Sequence, residues 1–218
     1  MQRIAFILLC SLFISMGAFA QEAPRSRFSF VLSPQISWLK SDFSTVNSDG
    51  NLFGYNFGVV MDRFFAENYA LTTGLTINTT GGKLEYEGEG VSMEIRGTND
   101  ADVKYTDVTY RLKYIEVPFG LKLFTNEFNR SRYYGQFGLY GQFNIKTNDG
   151  NGKSMNDEVN FLDMGYHLGG GMEYSLGGDT YLLVGLLYNN GFLDVTSNSE
   201  INDKTHLNRL VIQFGIVF

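Results

Sequence analysis

The feature that most constrains this chain is an alternation of apolar and polar side chains with a period of two residues. Near the C-terminus, Leu210 and Ile212 occupy one face, whereas Arg209 and Gln213 occupy the other. Successive side chains of a β-strand point to opposite faces, so each such segment is expected to be a strand. Eight segments show the pattern, at 30–38, 53–62, 69–78, 115–123, 136–145, 162–174, 182–189 and 209–218.

The polar faces of these segments distinguish two architectures. A soluble β-sandwich shows the same alternation, and its dry core accepts charges only at several kcal/mol apiece unless they are paired. In a transmembrane barrel the apolar face meets lipid and the polar face fills the lumen. The segments have roughly the 9–11 residues that a tilted strand needs to cross a bilayer. The pattern predicts an all-β fold, an eight-stranded antiparallel up-and-down transmembrane β-barrel.

The connections between the segments favour the same barrel. Short links lie at 66–68, 125–132 and 177–180, and longer polar links at 40–51, 81–107, 147–160 and 194–206. Short turns that alternate with long loops, and an even strand number, are typical of outer-membrane barrels with short periplasmic turns and longer extracellular loops. Both termini are then expected in the periplasm. Aromatic residues near the strand ends predict interfacial girdles. These are Phe64, Phe65, Tyr69, Phe124, Tyr133, Tyr134, Tyr174, Tyr181 and Phe218.

The first twenty residues have the layout of a secretory signal peptide. Arg3 precedes an apolar run at 4–13, and Ala18 and Ala20 form an A-x-A cleavage site. The expected domains are a signal peptide at 1–20 and a barrel at 21–218. Cys10, the only cysteine, would be removed, which excludes disulfide or thiol chemistry in the mature protein. Its formal charge is 16 minus 23, or −7, and it carries no basic tract that suggests nucleic-acid binding.

One segment departs from the pattern. The apolar residues Val108, Tyr110 and Leu112 are out of phase with the apolar residues at 115–123. A slip of one residue reverses the faces of a strand. We expect a β-bulge near Tyr114, or a strand that extends beyond the membrane.

Two stretches resemble a known family. The sequence Tyr-Ile-Glu-Val-Pro-Phe-Gly-Leu-Lys at 114–122 resembles the Y-[IL]-E-[IVL]-P strand of PorT-like outer-membrane β-barrel proteins of Bacteroidetes. The glycine-rich stretch at 166–174 and the C-terminal Phe218 are similar to the same family. The resemblance implies an eight-stranded outer-membrane barrel. The family's namesake is associated with type IX secretion, and its members mostly lack an assigned activity.

Two hypotheses compete for the charged residues of the polar faces. Asp163 and His167 are four residues apart and share a face, which is compatible with an acid–base pair of an outer-membrane hydrolase. The alternative is a lumen charge network that fills the narrow interior of an eight-stranded barrel. The candidate network comprises Asp62, Glu116, Lys122, Asp163, His167, Glu173 and Arg209. We favour the network, because buried charges are normally paired.

The remaining candidate sites are expected to be structural. His206 falls in a predicted loop, and two distant histidines give little support to a metal site. The acidic loop at 83–107 could bind the divalent cations that bridge lipopolysaccharide, or it could simply be solvated. The glycines at 169–171 are expected to bend a strand or to admit a bulky neighbour in the lumen. No cofactor, metal site or catalytic residue is predicted.

Three functions remain open at this point. The first is a non-catalytic barrel with a structural or accessory role in the envelope, with secretion implied only by the resemblance. The second is a small pore or ligand-binding barrel, and the third is a membrane-embedded hydrolase. The expected partners are outer-membrane lipid and lipopolysaccharide, an envelope protein complex, and the barrel-assembly machinery, which would read the strand ending at Phe218.

Overall fold

The computed structural model describes residues 25–42, 46–86, 107–197 and 204–218. The expected signal peptide therefore lies outside the described residues. The described segments form β1 (Ser26–Ser41), β2 (Val46–Gly50), β3 (Leu52–Ala66), β4 (Tyr69–Tyr86), β5 (Asp107–Phe124), β6 (Ser131–Asn148), β7 (Leu162–Gly177), β8 (Thr180–Gly191) and β9 (Thr205–Val217). A short 3-10 helix spans Asn156–Glu158.

Eight of these strands close into an antiparallel barrel in the order β1-β3-β4-β5-β6-β7-β8-β9. The first and last strands pair with each other, and so do β4 and β5, which leaves no open edge among the eight. Closure lets the backbone groups of each strand pair with both neighbouring strands inside a bilayer, where water is absent. The predicted eight-stranded barrel is thereby confirmed. The end of the barrel where β1 begins and β9 ends is called the terminal end. The opposite end, where β1 ends and β9 begins, is called the loop end.

The strands are longer than the alternation alone indicated. β4 continues to Tyr86, through residues that were predicted to begin a loop. β2, a strand that the sequence did not predict, pairs with this extension at the loop end. His206 lies in β9 opposite Lys40, and not in a loop as predicted.

The faces of the barrel are the inverse of those of a soluble protein. Leu32 and Phe119 point outward and are 56% and 59% exposed, whereas Glu173 and Arg209 point inward and are 0% exposed. Apolar residues that face outward and charged residues that face inward are typical of barrels embedded in lipid. No helix in the described residues is long and apolar enough to cross a bilayer.

The irregularity near Tyr114 is a bulge on the neighbouring strand. β5 keeps one phase along its whole length, so that Tyr110 and Tyr114 point inward. Its register with β6 shifts between Lys113 and Tyr114, and the extra residue on β6 is Ile145. The out-of-phase apolar residues therefore reflect an apolar lumen at the loop end. The faces of β5 itself do not reverse.

Two prolines interrupt ladders without changing the register. The β4–β5 pairing stops at Thr73–Phe119 and resumes at Thr76–Glu116, on either side of Pro118. The β1–β9 pairing has a similar gap around Pro34. Proline has no N–H to donate, so one side of each strand loses a hydrogen bond while the other side keeps its partners.

Apolar clusters occupy both ends of the lumen. At the loop end the cluster draws on β1, β2, β4, β5, β9 and the connections after β6 and β8. Its members are Leu39, Val46, Leu84, Val108, Tyr110, Leu112, Tyr114, Met155, Val159, Val195 and Leu207. At the terminal end it consists of Phe64, Ala70, Phe124, Tyr134, Tyr181, Leu183 and Val217. The girdle prediction was therefore wrong for Phe64, Phe124, Tyr134 and Tyr181, which point into the barrel.

Candidate functional site

Five charged side chains meet in the lumen near the terminal end. The Nζ atom of Lys122 lies 2.9 Å from Asp62 Oδ2 and 3.1 Å from Glu173 Oε1. Arg132 donates through Nε to Glu173 Oε2 at 2.8 Å, and Arg27 Nη1 lies 3.7 Å from the same oxygen. Glu173 therefore contacts three cations at once. This group is called the terminal-end cluster.

Aromatic faces surround the cations of this cluster. The guanidinium of Arg132 lies 4.3 Å from the ring centroid of Phe124, and that of Arg27 lies 4.6 Å from that of Tyr181. Lys122 Nζ lies 4.3 Å from the centroid of Tyr134. The cluster has three cations and two carboxylates, so one positive charge is in excess. Cation–π contacts can offset such an excess where water is scarce.

A second group, called the mid-lumen cluster, has one ion pair. Arg209 Nη2 lies 2.6 Å from Glu116 Oε2, and the Arg209 guanidinium lies 4.9 Å from the ring centroid of Tyr140. Asn78 donates to the same Glu116 oxygen at 3.1 Å. Asn56 donates to the other oxygen, Glu116 Oε1, at 3.5 Å, so two neutral amides supplement the single cation.

A chain of amide hydrogen bonds extends this cluster across the lumen. Gln35 donates to Asn78 Oδ1 at 2.6 Å, and Asn78 donates to Gln142 Oε1 at 3.1 Å. Gln142 in turn donates to Asp163 Oδ2 at 2.6 Å. The chain links β1, β4, β6 and β7 and places hydrogen-bonded groups across the middle of the barrel. Such buried networks are stabilising when their members are satisfied.

The structure does not bring Asp163 and His167 together as an acid–base pair. The Asp163 carboxylate is hydrogen-bonded to Gln142, and four residues along a strand separate the two side chains by roughly 13 Å. The His167 ring lies against the paired glycines Gly120 and Gly138 on β5 and β6. Within the described residues, His167 makes no side-chain hydrogen bond or ion pair.

Every member of the candidate network lies inside the barrel. Asp62, Lys122 and Glu173 belong to the terminal-end cluster, and Glu116, Arg209 and Asp163 to the mid-lumen cluster. Sequence reasoning missed Arg27 and Arg132, both of which contact Glu173. Both residues lie just before the predicted segments, at positions that continue the lumen-facing alternation of β1 and β6. That continued alternation is the sequence signal that could have identified them.

Glycines make room for large side chains in the lumen. The Tyr134 hydroxyl lies where a Cβ on Gly171 or Gly185 would stand, at 2.6 and 2.3 Å from those ideal positions. From there the hydroxyl donates to Gln213 Oε1 at 3.1 Å, so that Tyr134 spans from β6 to β9. The expectation that this glycine-rich strand admits a bulky neighbour agrees with this contact.

A small cavity separates the two clusters. It has a volume of about 60 Å³, and its lining includes Asn56, Glu116, Lys122, His167 and Arg209. A buried water needs roughly 10–15 Å³ of such space and a few polar partners, so the cavity can hold a few waters. In the described part of the chain, no group of three His, Cys, Asp or Glu residues could hold a metal ion.

The closed barrel, its apolar outer wall and its charged lumen define an integral β-barrel protein of the bacterial outer membrane. The chain belongs to the outer membrane protein beta-barrel domain family, whose model matches residues 19–197. Among curated proteins, none matches the chain.

Several solved structures are similar to this chain at low sequence identity. Neisserial surface protein A is 12% identical, with 86% of this chain and 95% of that protein covered and a TM-score of 0.48. OprG of Pseudomonas aeruginosa is 12% identical, with 90% and 97% covered and a TM-score of 0.49. Ail, the attachment invasion locus protein of Yersinia pestis, is 14% identical, with 89% and 99% covered and a TM-score of 0.43.

Proposed function

We propose that this protein is a non-conducting, non-catalytic barrel with a structural or accessory role in the outer membrane, and that it acts through its loops and outer wall. The observation that carries the proposal is the filling of the lumen. Apolar clusters occupy both ends, and two polar clusters lie between them around a cavity of about 60 Å³. Eight strands enclose an interior only wide enough for side chains.

The charged residues of the lumen serve structure in this proposal. Five of the seven network residues are held in ion pairs, and Asp163 is held by an amide. A hydrolase needs a nucleophile within hydrogen-bond reach of a positioned base. His167 lies against Gly120 and Gly138 and has no nucleophile as a hydrogen-bond partner among the described residues.

The proposal includes an orientation. Both termini and the short turns face the periplasm, and the loop end faces outward, as is usual for barrels of this class. The narrower assignment to PorT-like proteins is supported by the stretch at 114–122, in which Tyr114 and Glu116 face the lumen and Glu116 pairs with Arg209. A link to secretion rests on that resemblance alone.

Single-channel recording in planar bilayers tests the proposal. We expect no stable openings from the refolded protein, because polar and apolar side chains obstruct the lumen along its length. An Asp163→Ala/His167→Ala variant should also be silent, because it leaves both apolar ends in place. A porin reconstituted into the same bilayers confirms that insertion can be detected.

Stable, ion-selective openings in the native protein would contradict the proposal. If the double substitution also altered their selectivity, the alternative of a small pore would be favoured, with the cavity beside His167 as part of its path. Heat-modifiable gel migration of both proteins shows beforehand that the barrels are folded.

A further inference from the structure

Three basic side chains share one patch on the outer wall near the loop end. Arg111 and Lys113 alternate on the outward face of β5, and Lys146 lies opposite Lys113 on β6. This group is called the outer-wall basic cluster. Directly below it, Ile115 on β5 and Ile145 on β6 begin the apolar wall. The cluster thus lies where the apolar band ends and the headgroup region of a bilayer begins.

The bulge on β6 creates this arrangement. Ile145 and Lys146 are consecutive and both exposed, whereas Thr147 is 0% exposed and points inward. Without the extra residue, strand alternation would direct Lys146 into the lumen. Bulges commonly re-aim a side chain in this way. Here the result is a second lysine on the outer wall, directly opposite the first.

Like charges directly opposite each other destabilise an antiparallel pair unless an anion lies nearby. In the described segments, the side chains of Arg111, Lys113 and Lys146 form no hydrogen bond or ion pair. Asp149 lies three residues beyond Lys146, but its Oδ1 atom accepts from the backbone N–H groups of Asn151 and Lys153. Among the residues that the structure describes, the three cations therefore have no side-chain ion-pair partner.

An apolar groove lies on the same wall, below the cluster. Its floor includes the backbone of the paired Gly120 and Gly138, and its sides include Phe119, Leu121, Phe137 and Leu139. Its volume of about 600 Å³ falls within the roughly 300–1,000 Å³ of ligand pockets. Six residues of extended strand, roughly 20 Å, separate Lys113 from Phe119. This span suits an amphiphile with an anionic head above and a hydrocarbon chain below.

We propose that this wall binds a phosphorylated lipid of the outer leaflet, with its phosphate on the outer-wall basic cluster and an acyl chain in the groove along β5 and β6. The inference rests on the proposed orientation, which directs the loop end outward. Lysine and arginine near an anionic lipid surface each strengthen attraction, so the two lysines together supply much of the selectivity for phosphate.

Native mass spectrometry of the refolded protein in detergent micelles tests this site. The probe is hexa-acylated lipid A with both phosphates, titrated in parallel with the same lipid lacking phosphate. We expect the Lys113→Gln/Lys146→Gln variant to bind the phosphorylated lipid about 25-fold more weakly, since each lysine contributes a factor of about five. Lys113→Arg/Lys146→Arg should retain binding.

The matched control is Lys40→Gln/Lys204→Gln, which removes the same number of positive charges from the opposite wall. These lysines lie at the β1–β9 seam, where the backbone N–H of Lys204 donates to Asp42 Oδ1. This control should bind like the native protein. Equal loss in both Gln variants, or no loss in the first, would overturn the proposal. Equally tight binding of the lipid lacking phosphate would also overturn it.

Two further arms separate a lipid site from a simple phosphate site. Leu121→Trp/Leu139→Trp fills the groove and should weaken binding of the lipid while leaving the basic cluster intact. Unchanged lipid binding in that variant, or complete displacement of the lipid by inorganic phosphate, would overturn the lipid as the occupant. Bilayer recording is independent of these results, so a conducting barrel that binds the lipid would refute only the proposed function.

Discussion

The terminal-end and mid-lumen clusters place buried charges in the same barrel by different means. In the terminal-end cluster, Glu173 contacts Lys122, Arg27 and Arg132, and aromatic rings cover the cations. In the mid-lumen cluster, Glu116 contacts one cation and two amides, and Asp163 contacts an amide. The first depends on a single central carboxylate, whereas the second distributes its contacts over neutral groups. We therefore expect substitutions to be more costly in the first.

The largest effect is expected for Glu173→Gln. This substitution leaves three cations with Asp62 as their only carboxylate, and breaking a buried ion pair typically costs about 3–5 kcal/mol. The free energy of unfolding, measured by urea titration in lipid vesicles, should fall by about 4 kcal/mol. Glu67→Gln, in the exposed β3–β4 turn, is the control and should have little effect. A loss below about 1 kcal/mol, the size of an exposed ion pair, would contradict the central role of Glu173.

A smaller effect is expected for Arg209→Met in the mid-lumen cluster. Glu116 loses its cation but keeps the hydrogen bond from Asn78, so the loss should lie near the lower limit for a buried pair, about 3 kcal/mol. Adding Glu116→Gln removes the unpaired charge and should recover most of the loss. The double-mutant cycle gives the coupling energy between the two residues. A double variant less stable than Arg209→Met would show that the unpaired Glu116 carboxylate is not the source of the loss.

The smallest effect is expected for Gly185→Ala, which tests the aromatic cover of the terminal-end cluster. Its Cβ would lie 2.3 Å from the Tyr134 hydroxyl, and such overpacking typically costs about 1–3 kcal/mol. Tyr134→Phe in the same chain removes the colliding oxygen and should restore part of the stability. Gly141→Ala, where no atom lies within 4 Å of the added Cβ, is the matched control. Equal losses at Gly185 and Gly141 would argue against close packing of Tyr134.

The sequence was sufficient to predict the barrel but not to predict which residues fill the two ends of its lumen. Alternation and link lengths predict the eight strands because the lipid-facing residues are almost uniformly apolar. The same reasoning assumes a polar lumen throughout, and it therefore misassigned Phe64, Phe124, Tyr134 and Tyr181 to the outer girdles. It also left Tyr110 and Leu112 as an anomaly, although they belong to the apolar cluster that covers the loop end.

The candidate network was predicted from charged residues that fall on the lumen-facing side of the alternation, where buried charges are expected to pair. Which charges pair could not be predicted, since pairing depends on barrel register and on the height of each residue along the axis. Asp163 illustrates the point, because its partner is Gln142 and not a cation. The bulge at Ile145 was equally hidden, because one extra residue in a strand leaves no signature in composition.

The seam between β1 and β9 has a consequence for the order of assembly. Ser29 pairs with Val217 and Ser41 with Thr205, so this seam joins the two ends of the described barrel. Contacts so distant in the chain are the slowest to form, because loop-closure entropy opposes them. Until they form, two strand edges carry unpaired backbone groups that a hydrocarbon interior does not tolerate. Insertion into the bilayer and pairing of this seam must therefore proceed together, and the gap in pairing around Pro34 leaves the seam with fewer ladder hydrogen bonds there.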